Sequence, residues 1–142
     1  MAEADIIGAL VAVLKADAGV AALVSTDIYG VELPKTAVAR MPIDAIVVQP
    51  SGGAPLTEES DAALDAQRID IMAYGVTPAT ANALRRAAAQ ALRQTKRRTI
   101  ANTLIHWVNK AGGFYSARER DGLWPQSFQS FQVFYSTQEI LP

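Results

Sequence analysis

The sequence of 142 residues contains no cysteine and only one histidine, His106. The absence of cysteine excludes a disulfide framework, a thiolate zinc site, an iron–sulfur cluster and a cysteine nucleophile. A single histidine without cysteine cannot build the usual transition-metal site. His106 lies in the apolar segment 104–108, which favours a structural strand residue over a general base. We therefore expect neither a metal nor another cofactor.

Long hydrophobic runs and catalytic motifs are also missing. The apolar stretch at residues 6–14 is too short to span a membrane, and Glu3 and Asp5 precede it where a signal peptide carries basic residues. We therefore expect a soluble, mature chain with no membrane partner. No GxSxG, GxGxxG or P-loop pattern occurs. This favours a protein that is not an enzyme, with a small regulatory domain that binds a metabolite as an alternative.

The net charge is close to zero, but the charged residues are unevenly distributed. The formal net charge is −1, yet residues 1–65 contain ten acidic and three basic residues, whereas residues 71–118 contain eight basic residues and no acid. This separation predicts oppositely charged surfaces that meet between subunits. The basic side of that interface is expected to consist of Arg85, Arg86, Arg93 and Arg97. The acidic side, called the acidic cluster below, is expected to consist of Glu58, Glu59 and Asp61.

Two other interpretations of these charged segments remain open. The basic residues could instead contact nucleic-acid phosphates, although no aromatic platform is interleaved with them. The acidic cluster lacks the spacing of an EF-hand and is better explained as a solvated loop than as a calcium site. Residues 51–63 are rich in Gly, Pro, Ser, Thr and Glu, which predicts a mobile loop. We expect this loop to order on docking, with Gly52, Gly53 and Leu56 as its contact residues.

Hydrophobic periodicity predicts two helices and an irregular connection, followed by β structure around one further helix. Residues 3–15 and a short segment after Asp17 are expected to be helical, and 26–42 irregular. Strands are expected at 43–49 and 66–74, and a helix capped by Thr77 at about 77–95.

The last third of the sequence is expected to be entirely β. A hairpin is predicted from strands 103–110 and 114–118 around the Gly112–Gly113 turn, followed by a strand at 126–137. That strand carries aromatic residues on both faces, which predicts that both faces are covered. The order α-β-β-α-β-β-β indicates one α+β domain over residues 1–142, with a small mixed or antiparallel sheet and helices packed on one face.

Several of these segments together resemble a known family, the tail terminator or tail completion proteins of long-tailed bacteriophages and related gene-transfer particles. Their order and spacing carry the resemblance, since no single segment is specific. The segments are IIGAL (6–10), AGVAALV (18–24), DIY (27–29), PIDAIVV (42–48), RIDIMAYG (68–75), the helix at 79–92 and SFQVFY (130–135). The basic segment 96–98 and the aromatic pair at 114–115 depart from the family pattern.

The resemblance implies a structural virion protein at the head–tail junction that is assembled in the bacterial cytoplasm. Such a protein forms a homo-oligomeric ring, typically a hexamer, which caps the tail-tube protein and presents its other face to the head-side connector protein. DNA that passes the lumen would be contacted only non-specifically. Another neck component, such as a head-closure or adaptor protein, is the nearest alternative.

Overall fold

The computed structural model describes residues 2–24, 26–55, 64–120 and 122–139, and the side chains within them except those of 53–55 and 64–65. Helices and strands alternate irregularly along the chain. The helices are α1 (Ile6–Ala16), α2 (Ala18–Ala21), α3 (Lys35–Val38) and α4 (Pro78–Arg93). The strands are β1 (Ile28–Gly30), β2 (Ala45–Pro55), β3 (Leu64–Tyr74), β4 (Lys96–Ile100), β5 (Thr103–Arg118) and β6 (Pro125–Ser136).

The strands form one six-stranded sheet in the order β1-β2-β3-β6-β5-β4. β1 pairs with β2 in parallel, and every other neighbouring pair is antiparallel. The mixed sheet with helices confirms the predicted α+β class. The brief extended segment expected at residues 28–29 is the parallel edge strand β1.

The main hydrophobic core lies between the sheet and helices α1, α2 and α4. Leu10, Leu14, Ile69, Leu92 and Phe131 are all completely buried there. β-strand alternation sends these side chains of β3 and β6 to the helix side of the sheet. The predicted packing of helices on one face is therefore confirmed for α1, α2 and α4.

The opposite face of the sheet has a smaller cluster and a row of aromatic rings. Residues of β2 and β3 form the cluster together with side chains of the segment 31–43, which contains α3. On the β5–β6 half, Trp107 lies 4.8 Å from Phe134 and Tyr115 lies 4.9 Å from Phe128, measured between ring centroids. Phe128 and Phe134 are half-buried under these rings, and the rings themselves are exposed, so within the described residues this face is covered only in part.

The predicted hairpin at residues 103–118 is wrong, because this segment is the single long strand β5. Both halves of β5 pair with β6, and the register shifts between Lys110 and Phe114. Residues 111–113 lie where β6 has only Ser130, and they form a bulge, in which Gly112 has a φ of 129°. A glycine pair in a strand therefore produced a bulge here instead of a turn.

A real hairpin precedes the predicted one and was not expected from the sequence. Helix α4 ends at Arg93, two residues before its predicted end, and the basic segment that follows forms the edge strand β4. A two-residue turn joins β4 to β5, in which Ala101 and Asn102 have φ angles of 50° and 60°. Two consecutive positive φ angles are typical of a type I′ turn.

The predicted loop at residues 51–63 is partly wrong, because β2 continues through Pro55. The register of β2 and β3 shifts between Pro50 and Gly53, and Gly52 has a φ of 96°. Gly52 and Gly53 therefore lie in an irregular strand and not in a loop. Leu56 and the acidic cluster lie outside the described residues.

Candidate functional site

Helix α4 positions three of the four predicted basic residues. It begins with a capping box, in which the side chains of Thr77 and Thr80 each accept a hydrogen bond from the backbone N–H of the other, and Pro78 occupies the first turn. Its small apolar side chains bring the helix close to β3, β6 and β5. One side of α4 therefore faces the bulge of β5 across a concave surface.

Arg85 is buried on this side of α4 and is only 6% exposed. Its Nη1 donates to Gln129 Oε1 at 2.7 Å, while Nε and Nη2 donate to Asn82 Oδ1 at 3.2 and 3.0 Å. Its guanidinium carbon lies 3.8 Å from the centroid of the Phe114 ring, in a cation–π contact. Burial, and then the nearby charge of Arg86, lower the pKa of Arg85.

A pocket of about 290 Å³ opens beside Arg85, between α4 and the bulge of β5. Arg85, Arg86, Arg93 and Lys110 contribute four cationic side chains to its lining, and none of the described lining residues is acidic. We call it the basic pocket. This arrangement of fixed positive charges can bind an anion.

The structure separates Arg97 from the other three predicted residues. Arg97 lies on the edge strand β4, is exposed, and adopts a φ of 48° next to the irregular pairing of β4 with β5. It does not line the basic pocket. A charged edge strand also hinders unwanted strand pairing.

Sequence reasoning missed the interior position of Arg85 and the contributions of Lys110, Asn82, Gln129 and Phe114. The sequence does contain a pattern that indicates the position of Arg85. Arg85 follows the buried Ala81 by four residues, so helical spacing places it on the apolar side of α4. The other residues come from β5 and β6, and only the three-dimensional pairing brings them to α4.

His106 makes one polar contact, with its Nε2 at 3.2 Å from Ser136 Oγ, and it lies beside Trp107. Within the described part of the chain, no group of three potential metal-binding side chains occurs. Among the same residues, no helix is both long and apolar enough to cross a membrane. The basic pocket thus remains the candidate site that the structure brings together.

One further polar cluster lies at the β1 edge of the sheet. Asp27 Oδ1 accepts hydrogen bonds from Arg40 Nη2 at 2.8 Å and from Tyr29 Oη at 2.6 Å. This is the one ion pair formed between described residues. These contacts join the segment before β1 to the segment after α3, so the cluster stabilises the β1 edge of the sheet.

Comparison with known proteins agrees with the fold and with the sequence resemblance. No curated protein matches the chain. A solved structure described as the virion of a native gene transfer agent particle contains a chain of the same fold. It has a TM-score of 0.74 and 19% sequence identity, and the match covers 92% of this chain and 94% of that chain. The profile of the family "Tail completion protein gp17" matches residues 8–136. The chain therefore belongs to the tail completion protein gp17 family, the structural proteins of the virion tail.

Proposed function

We propose that this protein forms a homo-oligomeric ring, of six subunits as is typical of tail terminators, at the head–tail junction. The ring caps the tail-tube protein, stops its polymerisation and presents its other face to the head-side connector protein. Neighbouring subunits contact each other head to tail, so each subunit contributes two different surfaces to the ring.

The observation that supports this proposal is a group of exposed basic side chains that form no ion pair with any described residue. Arg86, Arg93 and Arg97 are exposed, and none of them forms an ion pair with a described residue. The acidic cluster provides the complementary charge elsewhere in the same chain. Such complementary surfaces set the register and the speed of assembly.

The open aromatic face of the sheet is consistent with a protein that functions in an assembly. Trp107 and Tyr115 are 43% and 53% exposed, although each stacks on a neighbouring ring. Exposed aromatic residues are enriched at protein interfaces. This surface is available for the tube or for the connector.

Deletion of the gene distinguishes a tail terminator from another neck protein and from a regulatory domain. If the protein is a tail terminator, deletion of its gene leaves tails of uncontrolled length, which electron microscopy measures directly. A head-closure or adaptor protein would leave tails of normal length that fail to join heads. Normal tails on normal particles would contradict the assignment and favour a regulatory metabolite-binding domain.

Any contact between the ring and the DNA that passes its lumen is proposed to be non-specific. The test is binding of duplex DNA to the assembled ring at increasing salt, because phosphate contacts weaken steeply with ionic strength. Equal affinity for unrelated sequences is expected.

A further inference from the structure

Arg85 carries a buried charge that no described residue neutralises. Three of the five N–H groups of its guanidinium donate to the neutral oxygens of Asn82 and Gln129. The one ion pair between described residues lies elsewhere, at the β1 edge of the sheet. A buried cation that is bonded only to neutral groups keeps much of its desolvation cost, which an anion at its free donors would offset.

The free donors of Arg85 are arranged for an anion with two oxygens. Of the two N–H groups that have no acceptor among the described residues, one is on Nη1 and the other is on Nη2. The Phe114 ring covers a face of the guanidinium, with its centroid 3.8 Å from the guanidinium carbon. Because the N–H groups lie in the plane of the guanidinium, this ring leaves open an in-plane approach, in which one oxyanion binds both terminal nitrogens.

The basic pocket places further cations around these donors. Arg86 and Arg93 of α4 and Lys110 of β5 line the same cavity of about 290 Å³, and all three are exposed. We call them the rim cations. Like charges around one cavity raise the electrostatic energy of each other, and a bound anion lowers it. The pocket therefore favours an anion that contacts Arg85 and the rim cations together.

The number of cations favours a phosphate group over a carboxylate. A carboxylate has one negative charge and two oxygens, which a single bidentate arginine already satisfies. A phosphate that is free or singly esterified carries a charge of about −1.5 to −2 near pH 7 and has at least three acceptor oxygens. Such a group can bind both free donors of Arg85 and still contact the rim cations.

The depth of the pocket favours a free or singly esterified phosphate over a nucleic-acid backbone. Arg85 is only 6% exposed, so its ligand has to enter the cavity. A backbone phosphate carries one negative charge and is esterified on both sides, which keeps it at the surface of the nucleic acid. Cations that contact a duplex backbone therefore need to stand out from the protein, as the rim cations do and Arg85 does not.

We propose that the basic pocket binds a dianionic phosphate group, either free phosphate or a phosphate monoester. Two of its oxygens accept hydrogen bonds from Nη1 and Nη2 of Arg85, and the remaining oxygens contact the rim cations. The ligand thereby connects α4, which carries Arg86, to the bulged strand β5, which carries Lys110. The site lies within one subunit, so this inference does not rest on the ring assembly proposed above.

The direct test is a titration of the purified full chain with inorganic phosphate at constant ionic strength, followed by phosphorus NMR and by thermal denaturation. Chloride replaces phosphate in the reference samples, so that general screening is the same. We expect saturable binding and a Tm that rises with phosphate, because a ligand that binds only the folded state stabilises it. Binding that does not saturate, or a Tm that phosphate and chloride change equally, would overturn the proposal.

Rim variants locate the site without removing the hydrogen bonds of Arg85. The double change Arg86→Gln with Lys110→Gln is expected to weaken phosphate binding by about tenfold or more, because it removes two charge-assisted contacts. The matched change Lys96→Gln with Arg98→Gln removes two exposed cations of β4 that do not line the pocket, and it should leave the affinity nearly unchanged. Circular dichroism verifies that both variants are folded. Equal losses in the two variants would show a general charge effect and no site.

Arg85 itself is tested in two ways. Arg85→Lys keeps the positive charge but removes the planar pair of donors, so we expect a loss of affinity of roughly tenfold. In the wild-type protein, the guanidinium N–H resonances of Arg85 are expected to shift when phosphate is added, which tests the contact even if the lysine variant does not fold. Wild-type affinity in a folded lysine variant, or unchanged Arg85 resonances at saturation, would contradict the assignment of Arg85.

Competing ligands distinguish phosphate from other anions. A short DNA duplex with unphosphorylated ends presents only backbone phosphates, and a glutamate oligopeptide presents only carboxylates. Neither is expected to displace inorganic phosphate when both are supplied at the same concentration of anionic groups. Displacement by the duplex would assign the pocket to nucleic acid, and displacement by the peptide would assign it to an acidic protein. Either result would overturn the proposal, whereas a chain that binds phosphate but does not cap tubes would refute only the function proposed above.

Discussion

At the scale of single residues, burial decides which side chains hold the fold. Phe131 is fully buried in the main core, whereas its neighbour Gln132 is exposed on the other face of β6. Replacement of a buried aromatic ring by alanine costs about 3–5 kcal/mol through lost burial and the cavity that remains. This is a large fraction of the stability of a typical domain, which is about 5–15 kcal/mol.

We therefore expect Phe131→Ala to lower the free energy of unfolding by about 3–5 kcal/mol, as measured by chemical denaturation. The matched change Gln132→Ala removes an exposed side chain of the same strand and is expected to change stability very little. Equal effects of the two changes would show that β6 does not bury Phe131.

Asp27 gives a prediction of pH dependence. The hydrogen bond from Arg40, and then that from Tyr29, lower the pKa of Asp27 below its usual value of 3.8. A carboxylate with a lowered pKa in the folded state stabilises the protein above its unfolded pKa, and this contribution is lost as the pH falls. The contribution is small because the Arg40 side chain is 52% exposed.

Asp27→Asn is expected to lower the denaturation midpoint at neutral pH, and its difference from the wild type is expected to shrink as the pH falls below the usual carboxyl pKa of 3.8. Comparison of denaturation curves at neutral and at acidic pH measures this. Arg40→Gln should reproduce the trend, since it removes the same ion pair. A difference between Asp27→Asn and wild type that does not change with pH would contradict this explanation.

At the scale of secondary-structure elements, the β4–β5 hairpin carries residues that are poorly suited to its turn. Ala101 and Asn102 both have positive φ angles, which cost a residue with a Cβ roughly 1–2 kcal/mol, although asparagine tolerates them better. Asn-Gly is the sequence that a type I′ turn prefers.

Replacing this pair by Ala101→Asn and Asn102→Gly is expected to raise the free energy of unfolding by about 1 kcal/mol. Thermal denaturation of the folded protein measures the change. As a control, Asn109→Gly in the interior of β5 should be destabilising, because glycine in a strand removes a side chain and increases the conformational entropy of the unfolded chain. A loss of stability in the turn variant would show that the hairpin has a different geometry.

The elements also show where sequence patterns suffice and where they fail. Alternation in residues 66–74 and the capping signals at Thr77 predicted β3 and α4, because each pattern is local. β4 was missed because its charged side chains resemble a helix terminus, and it is a strand only through pairing with β5. The bulge of β5 was predicted as a turn because Gly112 and Gly113 are compatible with either a turn or a bulge, and only the pairing with β6 distinguishes the two.

In the candidate site, too, the sequence indicated the local pattern but not the contacts between distant residues. The enrichment of arginine on α4 was evident from the sequence, and three of the four predicted cations line one pocket. The pairing of Arg85 with Gln129 joins residues 44 positions apart and depends on how α4 lies on β6. No local pattern encodes that distance.

At the scale of the whole molecule, the uneven distribution of charge predicts that contacts between subunits depend on electrostatic attraction. Arg93 and Arg97 are both exposed and carry positive charge outside any ion pair among the described residues. If they meet the acidic surface of the next subunit, Arg93→Glu with Arg97→Glu weakens the ring, and high salt weakens the wild-type ring through screening. Sedimentation at low and high salt measures both effects. Assembly that is unchanged in both tests would exclude the electrostatic contact but not the ring.

Whether the protein caps the tail tube is measured most directly by electron microscopy of tubes assembled from the tail-tube protein with and without this chain. We expect a ring at one end of each tube and no further growth of that end when fresh tube subunits are added. Tubes that continue to grow at both ends, or that bind the protein along their sides, would contradict it.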